Sequence, residues 1–441
     1  MKNLLLAADC SVVDSVICPP PTVRPADLGD LLSVVAERLE PGGVLMLHDG
    51  WATDYLTPYA EQGGDQEPAT LHAGDWSARV RRDDVWIRWT ADKHSIWTCE
   101  LSAVEPGGKS APLVASNPIV TASQFTEWER ATGVPWVGTP GMSGNALLVD
   151  GWREMNPKAS EPLWRRNGIW YPLESNPVWP FGHIEQAYTP AQWYRDYSGP
   201  MHGYDLNMAY LSAYQVVELP VDALDHHTVT GPGADPFDPR IGGVWRVMLS
   251  PWLHGDVLPD PAGYAPALED GSRWLTTQTL TLLQQLTDRG DYGGFTVLEW
   301  WGAPARRVTR KWASLIHDLI TAGRPPLSTA AKLAYKQAYG MWVNPGRVNR
   351  PEWHYALIAQ ARTNLWRKMD TAYRGAASTL SGRGNHQEPP ANYAAPVRVE
   401  TDCIFYAGIT DWERDAPYGL KLDESGAKLG HFKPYVPKED R

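Results

Sequence analysis

The sequence is short of three things. Its four cysteines, Cys10, Cys18, Cys99 and Cys403, form no CxxC pair and have no paired histidines near them, which argues against a zinc site and a disulfide framework and leaves buried thiols. No apolar run approaches the roughly eighteen residues that a membrane-spanning helix needs. The opening stretch reaches Asp9 after too few apolar residues for a signal peptide, so the expected location is the cytoplasm, with no membrane partner. Positive charge is scarce as well: 40 Lys and Arg face 51 Asp and Glu, a net charge of −11 that by itself argues against a nucleic-acid partner. No internal repeat is visible, and the one low-complexity candidate is the Gly/Ser/Asn/Pro loop at 375–390.

What is present is a globular mixture, 43% apolar and 21% charged over 441 residues, enough for two or three domains with ordinary cores. The distribution of charge reverses what its sum suggests. Between Arg306 and Lys368 there are twelve basic residues and only two acids, Asp318 and Glu352, a local charge of +10. A charge run is often no more than a solvated face. This one lies between two carboxylate motifs.

Residues 1–195 read as an α/β domain, with a strand at 4–8, a helix at 27–39, a strand at 43–47 after the Pro41-Gly42-Gly43 turn, and alternating half-solvated strands around Trp86 and Trp97. A Pro/Gly/aromatic stretch at 172–199 marks a joint. Residues 196–215 hold the first carboxylate motif. Residues 216–305, with short strands and a helix at 277–286, stand as an insertion before the basic segment. In 306–340 the spacing predicts a helical hairpin. Val308, Trp312, Leu315 and Leu319 make its apolar stripe, with Arg306 and Arg310 on the other side. Pro325-Pro326 breaks it, Ser328 is the expected N-cap of the second helix, and Gly340 its stop. Lys332, Lys336 and Tyr339 then share one face.

Three segments carry the chemistry: Tyr204-Asp205-Leu206-Asn207-Met208-Ala209-Tyr210-Leu211-Ser212, then Lys332 with Tyr339-Gly340, then Glu400-Thr401-Asp402-Cys403. Hard oxygen ligands for divalent ions and fixed cations for a triphosphate are what two-metal phosphoryl transfer needs. Taken singly, Asp205 reads as a cap or ion-pair partner, Tyr210 and Tyr339 as core aromatics, and Cys403 as a small hydrophobe. Their ordered conjunction points to a nucleotidyltransferase.

In that order the segments resemble motifs A, B and C of the family B DNA polymerases, over residues 197–435. The closest pattern is the protein-primed branch of phages and linear plasmids, where Tyr197-Ser198-Gly199 is similar to a Tyr-x-Gly-Gly element and 216–305 occupies the place of a terminal-protein region. A looser likeness is to telomere-associated proteins of actinobacterial linear replicons. The resemblance implies an α+β fold: a right-hand palm of antiparallel sheet and helices (196–215 and 341–418), short helical fingers (306–340) and a truncated or absent thumb, with 419–441 as a thumb-like tail. It implies two Mg²⁺ (or Mn²⁺) ions on Asp205, Asp402 and the Leu206 carbonyl, supported by Glu400, with Lys332 as a catalytic cation.

It also implies nucleotide contacts from Lys332, Lys336, Tyr339, Arg306 and Arg310, and Tyr210 under the incoming sugar. Arg362 and Arg367 are expected to bind DNA, joined by Lys433 and Tyr435, which resemble a Lys-x-Tyr primer contact. The expected partners are a DNA primer-template, dNTPs and a terminal protein or other replication subunit. The sequence departs from the family at Leu211, Lys336, Glu400 and Cys403. The Asp-x-Glu and Tyr-x-x-x-Asp signatures of a proofreading exonuclease are not found, since Asp196 has Gln192 where the tyrosine belongs. The expected function is thus a DNA polymerase without proofreading. Two alternatives stay open, a catalytically weak DNA-binding protein of replicon ends and a template-independent nucleotide-adding enzyme.

Overall fold

The computed structural model describes residues 197–436 apart from 230–236, 264, 344–349 and 382–394, and residues 107–150 apart from 110, 116 and 117. Nearer the amino terminus it describes 3–6, 11–13, 16–18, 25–39, 43–47, 55–56, 69–80, 87–92 and 94–100. Arg347, Gln192, Asp196 and most of the 172–199 joint and 375–390 loop lie outside the described residues. The chain divides into two compact units, Met1–Ser160 with Leu315–Met341, and Glu161–Ser314 with Trp342–Arg441.

The first unit holds an eight-stranded mixed sheet of β1 (Asn3–Leu6), β2 (Ser11–Val13), β3 (Val16–Cys18), β4 (Gly43–Leu47), β5 (Ala69–Ala73), β6 (Trp76–Val80), β7 (Ile87–Ala91) and β8 (His94–Glu100). The order is β3-β2-β1-β4-β8-β7-β6-β5, with β1, β4 and β8 parallel and the flanks antiparallel. Helix α1 (Leu28–Ala36) starts where the Asp27 carboxylate accepts the Asp30 N–H at 2.9 Å. Its Leu28, Leu31, Leu32 and Val35, at helical spacing, are buried with Leu45, Leu71, Trp89 and Ile96. Gly29 allows the close approach, because a Cβ there would stand 2.9 Å from the Ala73 carbonyl.

The unit also contains α2 (Pro118–Thr132), α3 (Pro140–Asp150) and α7 (Leu327–Ala338), which follows α6 (Arg310–Thr321) in the chain. Helices α3 and α7 nearly touch backbone to backbone at Gly144, whose missing Cβ would lie 2.8 Å from the Ala334 carbonyl oxygen. The two helices expected over 306–340 are present, but α7 packs on α3 rather than on α6, and the boundaries differ. Pro326, not Ser328, occupies the N-cap position of α7, where a missing N–H costs nothing. Gly340 does not stop the helix; the chain tightens into a 3₁₀ turn at Tyr339–Val343, with Gly340 outside the left-handed region that a glycine stop uses.

The second unit carries two sheets. The four-stranded one, in the order β15-β16-β9-β17, is fully antiparallel and is built from β9 (Met201–Leu206), β15 (Pro396–Glu400), β16 (Cys403–Ala407) and β17 (Phe432–Pro434). The other consists of β10 (Leu219–Pro220), β11 (Asp225–Thr228), β12 (Ile241–Leu249), β13 (Arg273–Thr276) and the long β14 (Phe295–Arg306). Helices α4 (Ala209–Val216), α5 (Thr277–Asp288) and α8 (Pro351–Ser381) complete the unit.

Residues 216–305, expected as an insertion, pack into the unit's core: Trp245, Val247, Leu275 and Leu283 share one buried cluster with Tyr204, Leu206, Trp366, Ile404 and Phe432. Residues 419–436, expected as a thumb-like tail, return to the four-stranded sheet and supply β17.

Candidate active site

Strand β9 brings Asp205 to its penultimate position, and the chain then turns through Asn207 and Met208 into α4. Beside it, β15 and β16 form a hairpin in which Glu400 pairs with Cys403, so Thr401 and Asp402 are its two-residue turn. Cys403 pairs in turn with Asp205 across β16 and β9, and the Leu206 N–H donates to the Asp402 carbonyl at 2.9 Å. The two acids expected from sequence, nearly two hundred residues apart in the chain, therefore end close together in the fold, Asp205 on β9 and Asp402 in the turn that leads into the neighbouring β16. Burial pushes the Cys403 thiol well above its ordinary range, and the nearby Asp205 and Asp402 charges push it further. It stays neutral between them.

The backbone at both acids is unusual. Thr401 and Met208, with φ of 51° and 50°, occupy the left-handed region although neither is glycine, and for the β-branched Thr401 this is a true outlier. Strain of this kind collects where a structure holds a functional geometry.

Asp205 has a cationic partner, since Lys433 lies opposite it in the β17–β9 register and its Nζ is 3.0 Å from Asp205 Oδ2. Glu400 is ion-paired with Arg398. Behind them Asn207 is buried, donates from its backbone to the His431 carbonyl and from Nδ2 to the Asp423 carbonyl, and accepts the Gly430 N–H. Among the described residues no group of three or more His, Cys, Asp or Glu is arranged to hold a metal ion. What the site offers is two hard carboxylates, the donor type that Mg²⁺ takes, together with backbone oxygen.

The remaining expected site residues fall into three groups. Leu206 is buried beside Asp402, Tyr210 is half-buried in the first turn of α4, and Tyr435 packs edge-on against Phe405 at 5.2 Å while its N–H donates to the Gly203 carbonyl. Arg306 and Arg310 are exposed in the second unit, at the end of β14 and the start of α6. Lys332 and Lys336 are exposed on α7, followed by a half-buried Tyr339, and these three belong to the first unit whereas both acids belong to the second.

The basic segment needs a correction. Arg362, expected on DNA, is 2% exposed and donates to Thr279 Oγ1 at 2.5 Å and to the Pro261 carbonyl at 3.3 Å. Arg350 is 1% exposed and is bound to Glu352 and to the Pro220 and Asp222 carbonyls. Lys368 donates to the Gly430 carbonyl at 2.8 Å, and half-buried Arg367 to Gln285 at 3.1 Å. Arg350 and Arg362 therefore serve the interior, whereas Arg306, Arg307, Arg310, Lys311, Arg324, Lys332 and Lys336 remain exposed. Charge counting along a chain cannot register burial, and only the helical offset of Arg362 from polar α8 positions could have hinted at it.

Sequence reasoning also missed Arg398 and Asn207. Arg398 sits two residues before Glu400 on the same strand face, a period-2 signal that was available. Asn207 gave no signal.

No family model matches this chain, and no curated protein matches it. Its fold is similar to that of phi29 DNA polymerase. With the orthorhombic crystal form of that enzyme the TM-score is 0.50 at 11% identity, over 98% of this chain and 83% of the other. The phi29 ternary complex with primer-template DNA and incoming nucleotides gives 0.48 at 11% identity, with the same coverage. The likeness is one of fold.

Proposed function

We propose that this chain is a DNA polymerase of the two-metal type, in which Asp205 and Asp402 hold the divalent ions together with the Leu206 carbonyl. The observation that carries the reading is the convergence of the two acids, one on β9 and one in the turn into β16, tied by the Leu206 N–H to Asp402 carbonyl bond, within a polymerase-like fold. When bound, Mg²⁺ would lower the pKa of an attacking hydroxyl and neutralise a leaving pyrophosphate. Arg306 and Arg310, exposed in the same unit as the two acids, are the cations for a triphosphate, and Tyr210 is the floor of the sugar site. DNA and dNTPs are the partners in this reading. A protein primer, as in the protein-primed branch, is the finer form of it.

A second reading, DNA binding without turnover, is favoured by the ion pairs that Lys433 and Arg398 make with Asp205 and Glu400. Primer extension with and without template separates the two. A polymerase extends only with template and Mg²⁺, and Asp402→Asn lowers the rate by about a hundredfold or more, roughly 2.7 kcal/mol of barrier, with DNA affinity nearly unchanged. Binding without extension would establish the second reading, and extension without template would favour a template-independent enzyme.

A further inference from the structure

The Lys433–Asp205 pair brings together a fixed strand and a movable charge. The backbone of β17 is anchored from several sides: His431 and Gly430 to Asn207, the Tyr435 N–H to Gly203, and Lys368 Nζ to the Gly430 carbonyl with the Phe432 ring 5.5 Å away. The Lys433 side chain is 37% exposed on a flexible four-carbon stem, so its ammonium can leave without the strand moving. Asp205 is only 15% exposed and cannot follow it into water. Asp402 is one residue from Cys403, the partner of Asp205 in the register, and the Asp205 oxygen that Lys433 bonds is one that a divalent ion would also need.

We infer that Lys433 is the resident counter-cation of Asp205 and exchanges with a divalent ion, so that metal entry releases the lysine as a free cation at the edge of the site. The inference rests on the reading that Asp205 and Asp402 hold such an ion. Lys433 acts through Asp205, as a positioning residue. It keeps the carboxylate compensated before the metal arrives and supplies a positive charge for an anion once the metal has taken its place. An exposed or half-exposed ion pair of this kind is worth up to about 1 kcal/mol, which bounds the competition at about two- to fivefold in metal affinity.

Two measurements that do not use turnover test it. In the unmodified chain, acetylation of lysines by an N-hydroxysuccinimide ester, read by peptide mass spectrometry, is compared with and without Mg²⁺. The Lys433 rate should rise about two- to fivefold with the ion, while Lys421 and Lys428 in the same segment stay level. In parallel, Mn²⁺ is titrated by electron paramagnetic resonance into the unmodified chain, Lys433→Met and Asp205→Asn. Tighter binding in Lys433→Met and loss in Asp205→Asn support the exchange, and Lys433→Arg should restore the weaker affinity. Binding lost in Asp205→Asn but unchanged or weaker in Lys433→Met, with flat Lys433 labelling, overturns the exchange and leaves the metal site standing. No binding in any variant, Lys433→Met included, overturns both.

Discussion

Replacing Arg362 by Met separates an interior arginine from a DNA-binding one. The guanidinium is 2% exposed, and it bonds Thr279 Oγ1 and the Pro261 carbonyl. It also lies against Gly263, where φ is +66° and an added Cβ would collide with it. Its charge lowers the pKa of Asp260, an acid that burial raises on balance. Methionine fills much of the volume but removes two charge-assisted hydrogen bonds, each worth about 1.5–3 kcal/mol, and leaves Asp260 less compensated. Breaking a buried charged cluster costs about 3–5 kcal/mol. At about 2–4 °C per kcal/mol for a unit of this size, melting should fall by roughly 6–20 °C. Urea denaturation and thermal melting measure the loss. Fluorescence titration of labelled primer-template across a salt series measures the other arm, where a single lost phosphate contact would flatten the slope of log K against log salt by about one. A variant that melts within 2 °C of the parent, about 1 kcal/mol or less, yet flattens that slope would refute the internal assignment.

Glycine replacements probe the α3–α7 crossing. Gly144→Ala should destabilise by about 1–3 kcal/mol in urea because its methyl meets the Ala334 carbonyl, whereas Gly340→Ala, with nothing within 4 Å of its Cβ, should be neutral or gain about 0.4–1 kcal/mol. Thr401→Gly should raise stability by about 0.5–1 kcal/mol in the same assay, since the relief of a left-handed β-branched residue exceeds the added chain entropy. Ser272 and Arg246 hold the Asp270 carboxyl down to about 2. Its folded pKa lies below the unfolded value of about 3.9, so its stabilisation is present above that value and lost as pH falls toward 2; Asp270→Asn should flatten the acid limb of stability between pH ~4 and ~2.

The carboxylate motifs were legible because their structure is local. Tyr204 to Ser212 becomes a strand, a two-residue turn and a helix within one short span, and Glu400 to Cys403 a tight hairpin turn, so each motif is a single local element, although only the resemblance joined the two. Of the stripe Val308, Trp312, Leu315 and Leu319, the last three lie on α6, with Trp312 and Leu319 buried and Leu315 half-buried, while Val308 is buried in the turn before it. What could not be read depends on distant partners. Strand β17 has three residues, no periodicity to detect, and gains its identity only by pairing with β9. Arg350 and Arg362 look like any other arginines until Pro220, Pro261 and Thr279 come round to accept their protons. The core that 216–305 shares with Tyr204, Ile404 and Phe432 is likewise set by residues far away in the chain.

The central place of β9 has a consequence for synthesis. Both of its neighbours, β16 and β17, follow it in the chain only after the whole of the other sheet and α8, and the Asn207 to Asp423 bond alone joins residues 216 positions apart. A growing chain that has passed Asp205 still lacks both strands that will flank it, and it must traverse the second unit's other sheet and α8 before they emerge. Until then β9 has two unpaired edges and an uncompensated acid at its tip, the kind of long-range pairing that slows folding and invites wrong partners. Emergence of Phe432–Pro434 is therefore what allows the site to assemble, and a chain cut before Phe432 would keep both acids in its sequence while leaving one edge of β9 open to aggregation.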